Sequence, residues 1–163
     1  MTTQPGWKSK LADYLEQRGH LDLALWLLKK EIKSNPNYYT HCRLGVLLHV
    51  KSQREKNMTP KTVSRVIYHL SNSSKHNPDY APTYLYLGVA YKHYALLLLP
   101  PRTPDAQSKI FRAIEKSRHS LNTAVKKDKN LETLAEEQLS ELRQFIQALP
   151  ISSKTRSTAY KDN

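Results

Sequence analysis

Cysteine is almost missing from this sequence, glycine is scarce, and acidic residues are well outnumbered. The one cysteine, Cys42, excludes an internal disulfide and any cysteine-based metal knuckle. Four glycines in 163 residues, with few Val or Ile runs, argue against a sheet and its positive-φ turns. No apolar run reaches the roughly 18 residues of a membrane helix. The nearest, residues 84–99, is short and carries Lys92 and His93 in its middle. The opening residues, MTTQPGWKSKLADYLEQRG, show no apolar h-region of a secretory signal, so the expected location is cytoplasmic. There is no Gly-rich phosphate loop, no H-E-x-x-H and no nucleophile elbow. The expectation is a non-enzyme without a cofactor.

What is abundant points to helices. Leu, Ala, Lys, Gln and Glu dominate, and all are good helix formers. Apolar periodicity and stop signals predict an all-α chain of seven helices in a single domain, 1–149. They fall at about 7–18 and 21–33, 38–51 and 60–74, 80–99 and 105–127, with a last helix at about 131–148. The basic tail, 150–163, is polar and without periodicity, and is expected to be disordered. Thr59-Pro60 and Thr103-Pro104 give the sharpest start signals, a threonine N-cap followed by proline at the first helical position.

The segments come in pairs. Pro36 and Pro78 sit just past the second member of two pairs, and Leu44-Gly45 and Leu87-Gly88 occupy matching places in the helices that follow. Leu11, Ala12 and Leu15, then Ala24, Leu28 and Pro36, give the first unit the same pattern, with Gly19 at its turn. The second unit has Val66, Leu70 and Pro78 after Leu44, Gly45 and Leu48. The third has Tyr84, Leu87, Gly88 and Tyr91, then Ser117, Leu121 and Ala124, with Lys129 in place of the proline.

Over residues 7–129 this resembles the tetratricopeptide repeat, a helical hairpin of about 34 residues that stacks with its neighbours. The resemblance implies a right-handed helical-hairpin solenoid of three hairpins, about 7–33, 38–74 and 80–127, plus a C-terminal capping helix. The second and third units depart from the period through inserted loops and a longer helix. In the cap, Leu131, Leu134, Ala135, Leu139, Leu142, Phe145, Ile146 and Leu149 fall along one side.

The resemblance further implies that the first helices of the hairpins line a groove that grips a partner segment. By register, the groove residues are Tyr39, Cys42, Val46 and His49 with Leu85, Val89, Lys92 and His93, flanked by Ser9, Asp13 and Glu16. The alternative for Leu85 and Val89 is burial between hairpins. The expected job is a protein–protein interaction adaptor, or an assembly chaperone or subunit of a larger complex. Ser9, Asp13 and Pro82 do not supply the carboxylate clamp of chaperone-tail binders, and Arg43 alone is compatible with it. His41 and His49 lie about 12 Å apart along a helix, too far to share a metal without a third element.

The net charge of +12 opens a second reading. Residues 51–130 hold 15 Lys and Arg against five Asp and Glu. Lys51, Arg54, Lys56 and Lys61 lie in or beside the inserted loop, and Lys109, Arg112, Lys116 and His119 recur at helical spacing. Such a surface either contacts the phosphates of a nucleic acid, as in a ribonucleoprotein or DNA-bound complex, or is only a solvated face. An acidic protein surface and an anionic membrane face are the other partners that the charge admits.

Overall fold

The computed structural model describes residues 6–101 and 103–149. The expected tail, 150–163, lies outside the described residues. The chain is all-helical: α1 (Trp7–Gln17), α2 (Leu21–Ser34), α3 (Tyr38–Arg54), α4 (Pro60–His76), α5 (Ala81–Leu97), α6 (Pro104–Lys127) and α7 (Glu132–Ala148). A 3-10 turn, Lys129–Leu131, leads into α7. No strand occurs among the described residues, and no helix there is long and apolar enough to cross a membrane.

Local chemistry places the ends. The Thr59 and Thr103 hydroxyls accept from the backbone N–H groups of Thr62 and Ala106, at 3.2 and 3.1 Å. Asn37 caps α3 in the same way, 2.9 Å from the Thr40 N–H. Gly19 turns α1 into α2 at a φ of 83°, where a side chain would be strained. Two helices run on past the sequence expectation, α3 to Arg54 and α4 to His76, and both carry cations in the last turn that suit the helix dipole. Helix α5 stops earlier than expected. It ends at Leu97, and Leu98 and Leu99 leave the helix to pack on Ile110, Ile114, Leu142 and Ile146.

Each helix packs on the one before and the one after it in the chain. Odd-numbered helices also touch in succession, α1 with α3, α3 with α5, and α5 with α7. Helix α5 therefore meets α3, α4, α6 and α7, which explains a sequence that is apolar on nearly every side.

Two glycines set the closest crossings. A Cβ on Gly45 would stand 2.9 Å from Leu70 Cγ, and one on Gly88 only 2.5 Å from Leu121 Cγ. Ser117 uses that proximity, donating its hydroxyl to the Gly88 carbonyl at 2.7 Å. Leu28, Leu70 and Leu121, the large residues at matching places in α2, α4 and α6, are all fully buried. Burial of each contributes about 1.5–3 kcal/mol.

Helix α7 packs on α5 and α6. Ala135 and Leu139 pack with Leu85, Leu121 and Ala124, while Leu142, Ile146 and Leu149 pack with Ala95, Ile110, Ala113 and Ile114. Leu134, expected on this apolar side, is instead exposed among the glutamates.

Candidate binding surfaces

The contacts among the odd-numbered helices bring residues of α1, α3 and α5 into one polar–aromatic face. Arg43 stands at its centre. Its Nε donates to Asp13 at 2.7 Å, and a terminal nitrogen pairs with Glu16. The Tyr39 hydroxyl donates to the same Asp13 carboxylate. Burial and that carboxylate both hold the Tyr39 phenol protonated well above its ordinary range. Tyr86, from α5, is near enough for Arg43 and Glu16 to act on its phenol. Asp13, Glu16, Tyr39, Arg43, Tyr86, Val89 and His93 are all half-buried.

Of the groove residues read from the sequence, Tyr39, Val89 and His93 are thus partly open. Cys42, Val46, His49, Leu85 and Lys92 are buried and line no open groove. The physical reason is crowding. Helix α3 has α1, α2, α4 and α5 around it, so both of its apolar sides are covered. Cys42 and Val46 pack with Val63, Val66 and Leu70. Burial pushes the Cys42 thiol up to about 11, which leaves it unreactive. Ser9 is likewise interior, donating to the buried Glu31 at 2.8 Å. Lys92 is drawn inward by α7, where it donates to Gln138 at 2.7 Å and pairs with Glu141. Tyr86 is the member of this face that register did not place there, whereas Arg43 is the one clamp-compatible residue of the sequence reading. Arg43 follows from the two acidic residues of α1, at positions 13 and 16, one turn apart.

Histidines meet in two places. His49 Nε2 and His93 Nδ1 lie 2.8 Å apart, and His41 Nδ1 and His69 Nδ1 3.3 Å apart. His41 also stacks on His76. Each hydrogen-bonded pair needs one nitrogen to stay bare as acceptor, so double protonation breaks it. Burial, then the neighbouring His93 and Lys92, lower the His49 imidazole to about 4. Burial, then His69 and His76, lower His41 to about 4 as well. Among the described residues, no three His, Cys, Asp or Glu side chains gather into a possible metal site.

The basic surface divides in two. Lys51 is neutralised by Asp22, at 2.7 Å, and by Glu55, while Arg54, Lys56 and Lys61 are exposed nearby. Lys51, Trp26, Lys29 and Arg65 line a hollow of about 320 Å³. On α6, Lys109, Arg112, Lys116 and His119 are exposed along one stripe. Lys109 pairs with Asp105 at 2.7 Å.

Beside that stripe lie tyrosines of α5. Tyr91 and Tyr94 share a hollow of about 150 Å³ with Lys109, Arg112 and Lys116. Tyr84 and Tyr91 share another, of about 400 Å³, with Lys116 and His119. The Lys116 ammonium sits 5.4 Å from the Tyr91 ring centre. The spacing of these tyrosines along 84–94 is the signal that links them to the cations.

No family model matches this chain, and no curated protein matches it.

Proposed function

We infer that this chain is a non-enzymatic adaptor, a stack of three helical hairpins and a cap that holds a segment of another protein. The hairpins would be α1–α2, α3–α4 and α5–α6. The observation that carries the reading is the succession of contacts among α1, α3, α5 and α7, which gives the first helices a common face. The matched close crossings at Gly45 and Gly88 support the repeat. The gripping residues are then Tyr39, Arg43, Tyr86, Val89 and His93 in place of the buried half of the sequence-read groove. Apolar Val89 beside aromatic Tyr86, with ion-paired groups at the α1 end, suits an amphipathic segment.

Peptide display against the immobilised protein tests this. Enriched peptides should share an apolar or aromatic anchor and bind Val89→Asp about tenfold more weakly. The substitution is made at half-buried Val89, not at buried Val46, where a charge would disrupt the core. Failure to enrich any peptide, or undiminished binding to folded Val89→Asp, overturns the assignment.

A second reading has a specific observation behind it. Tyrosines 84, 91 and 94 interleave with Lys109, Arg112 and Lys116, as single-stranded nucleic-acid surfaces require. If it holds, oligonucleotide affinity falls steeply with salt, and Lys109, Arg112 and Lys116 changed to Gln flatten the slope. A flat slope in the unmodified protein removes this reading.

A further inference from the structure

The two ends of the stack are finished differently. At one end α7 buries its apolar side and turns Glu132, Glu136, Glu137 and Glu141 outward. At the other end α1 turns Trp7, Leu11 and Tyr14 outward, one stripe at i, i+4 and i+7. Aligning Leu11 with Leu44 and Leu87 matches this stripe to Thr40, Leu44 and Leu47 of α3, and to Thr83, Leu87 and Ala90 of α5. The relative exposures then separate cleanly. They are 67%, 39% and 51% in α1, against 0%, 2% and 0% in α3 and 0%, 6% and 0% in α5.

The cause is a missing neighbour. Leu44 and Leu47 are covered by Leu21, Leu25 and Leu28 of α2, and Leu87 and Ala90 by Val63, Val66 and Leu70 of α4. Nothing among the described residues stands before α1. A tryptophan and a tyrosine left open in one stripe are also the residue types that dominate binding energy at interfaces.

We propose that the outer stripe of α1 docks an amphipathic helix with acidic flanks from a partner protein, in the place α2 holds on α3 and α4 holds on α5. The helical form of the occupant follows from those two equivalents, and its charge follows from the rim. The Lys8 ammonium lies 5.7 Å from the Trp7 ring and the Arg18 guanidinium 5.1 Å from the Tyr14 ring. The nearest acids of α1, Asp13 and Glu16, are already paired with Arg43 on another side. A second copy of the same end would bring these cations against one another. This inference shares the hairpin correspondence with the adaptor reading but uses a different face.

The test uses a fluorescein-labelled 18-residue helical peptide, with leucines at i, i+3, i+4 and i+7 and glutamates elsewhere. It is titrated into the full chain carrying Trp26→Phe, so that Trp7 alone reports. Binding should raise anisotropy and shift Trp7 emission to the blue. Trp7→Ser, Leu11→Ser and Tyr14→Ser together replace exposed residues, so melting should be unchanged while affinity falls at least about tenfold. Replacing the peptide's glutamates by lysines should weaken binding about as much. Val89→Asp should leave this binding intact, so the two faces fail independently. Absence of binding, binding unchanged by the triple serine variant, equal affinity for the lysine peptide, or a self-association that the triple variant abolishes would each overturn the proposal.

Discussion

At the scale of single residues, two glycines and two histidines hold the account. Alanine normally favours a helix over glycine by about 1 kcal/mol. At Gly88 the added methyl meets Leu121 Cγ at 2.5 Å and the Ser117 carbonyl at 3.2 Å, so the fully buried Leu121 must shift. Gly88→Ala should therefore destabilise the protein by about 1–3 kcal/mol. Gly45→Ala, with its nearest contact at 2.9 Å, should cost less. Urea denaturation of both variants checks the order, and a gain of stability at Gly88 would refute the close crossing.

The histidines make stability depend on pH. His41 and His49 titrate near 4 when folded, against about 6.5 in the unfolded chain. Between those values the unfolded state binds more protons, so stability falls as pH drops below 6.5 and the loss is complete near 4. The groups facing them are His69 and His76 on α4, and Lys92 and His93 on α5. From pH 7 to pH 5 the loss should be about 2 kcal/mol for each of the two histidines. His49→Gln combined with His41→Gln should flatten the slope of melting temperature against pH in that interval.

At the scale of elements, the helices whose starts depend on neighbouring residues are the legible ones. Thr59-Pro60 and Thr103-Pro104 mark α4 and α6 because a cap is a contact three residues away. Thr59→Ala and Thr103→Ala should each cost about 1 kcal/mol, and the double variant about their sum, since the caps share no partner. Chemical denaturation of the three variants measures this.

Other features depend on distant chain. Leu98 and Leu99 continue the apolar pattern of α5, yet the helix ends before them because the core of α6 and α7 takes them. Lys92 looks like a groove residue until Gln138 and Glu141, on α7, draw it inside. Val46 and Cys42 are buried for the same reason, since four helices surround α3. Of the sequence-read groove, Tyr39, Val89 and His93 keep an open edge. Arg43 joins them through Asp13 and Glu16, 30 and 27 residues away, and Tyr86 through its place on another helix, which no local pattern reveals.

At the scale of the whole molecule, the charge and the two ends give the protein its character. The stripe on α6 is basic, the outer side of α7 is acidic, and the outer side of α1 is aromatic with a cationic rim. The described residues thus present surfaces of three different chemistries on one set of packed helices.

The central claim is that the common face of α1, α3 and α5 holds a partner segment. Hydrogen–deuterium exchange of the protein with a display-enriched peptide tests it most directly. The account predicts slowed exchange in α3 around residues 39–46 and in α5 around 86–93, abolished in Val89→Asp. Slowing confined to α2, α4 and α6, or none at saturating peptide, would contradict it.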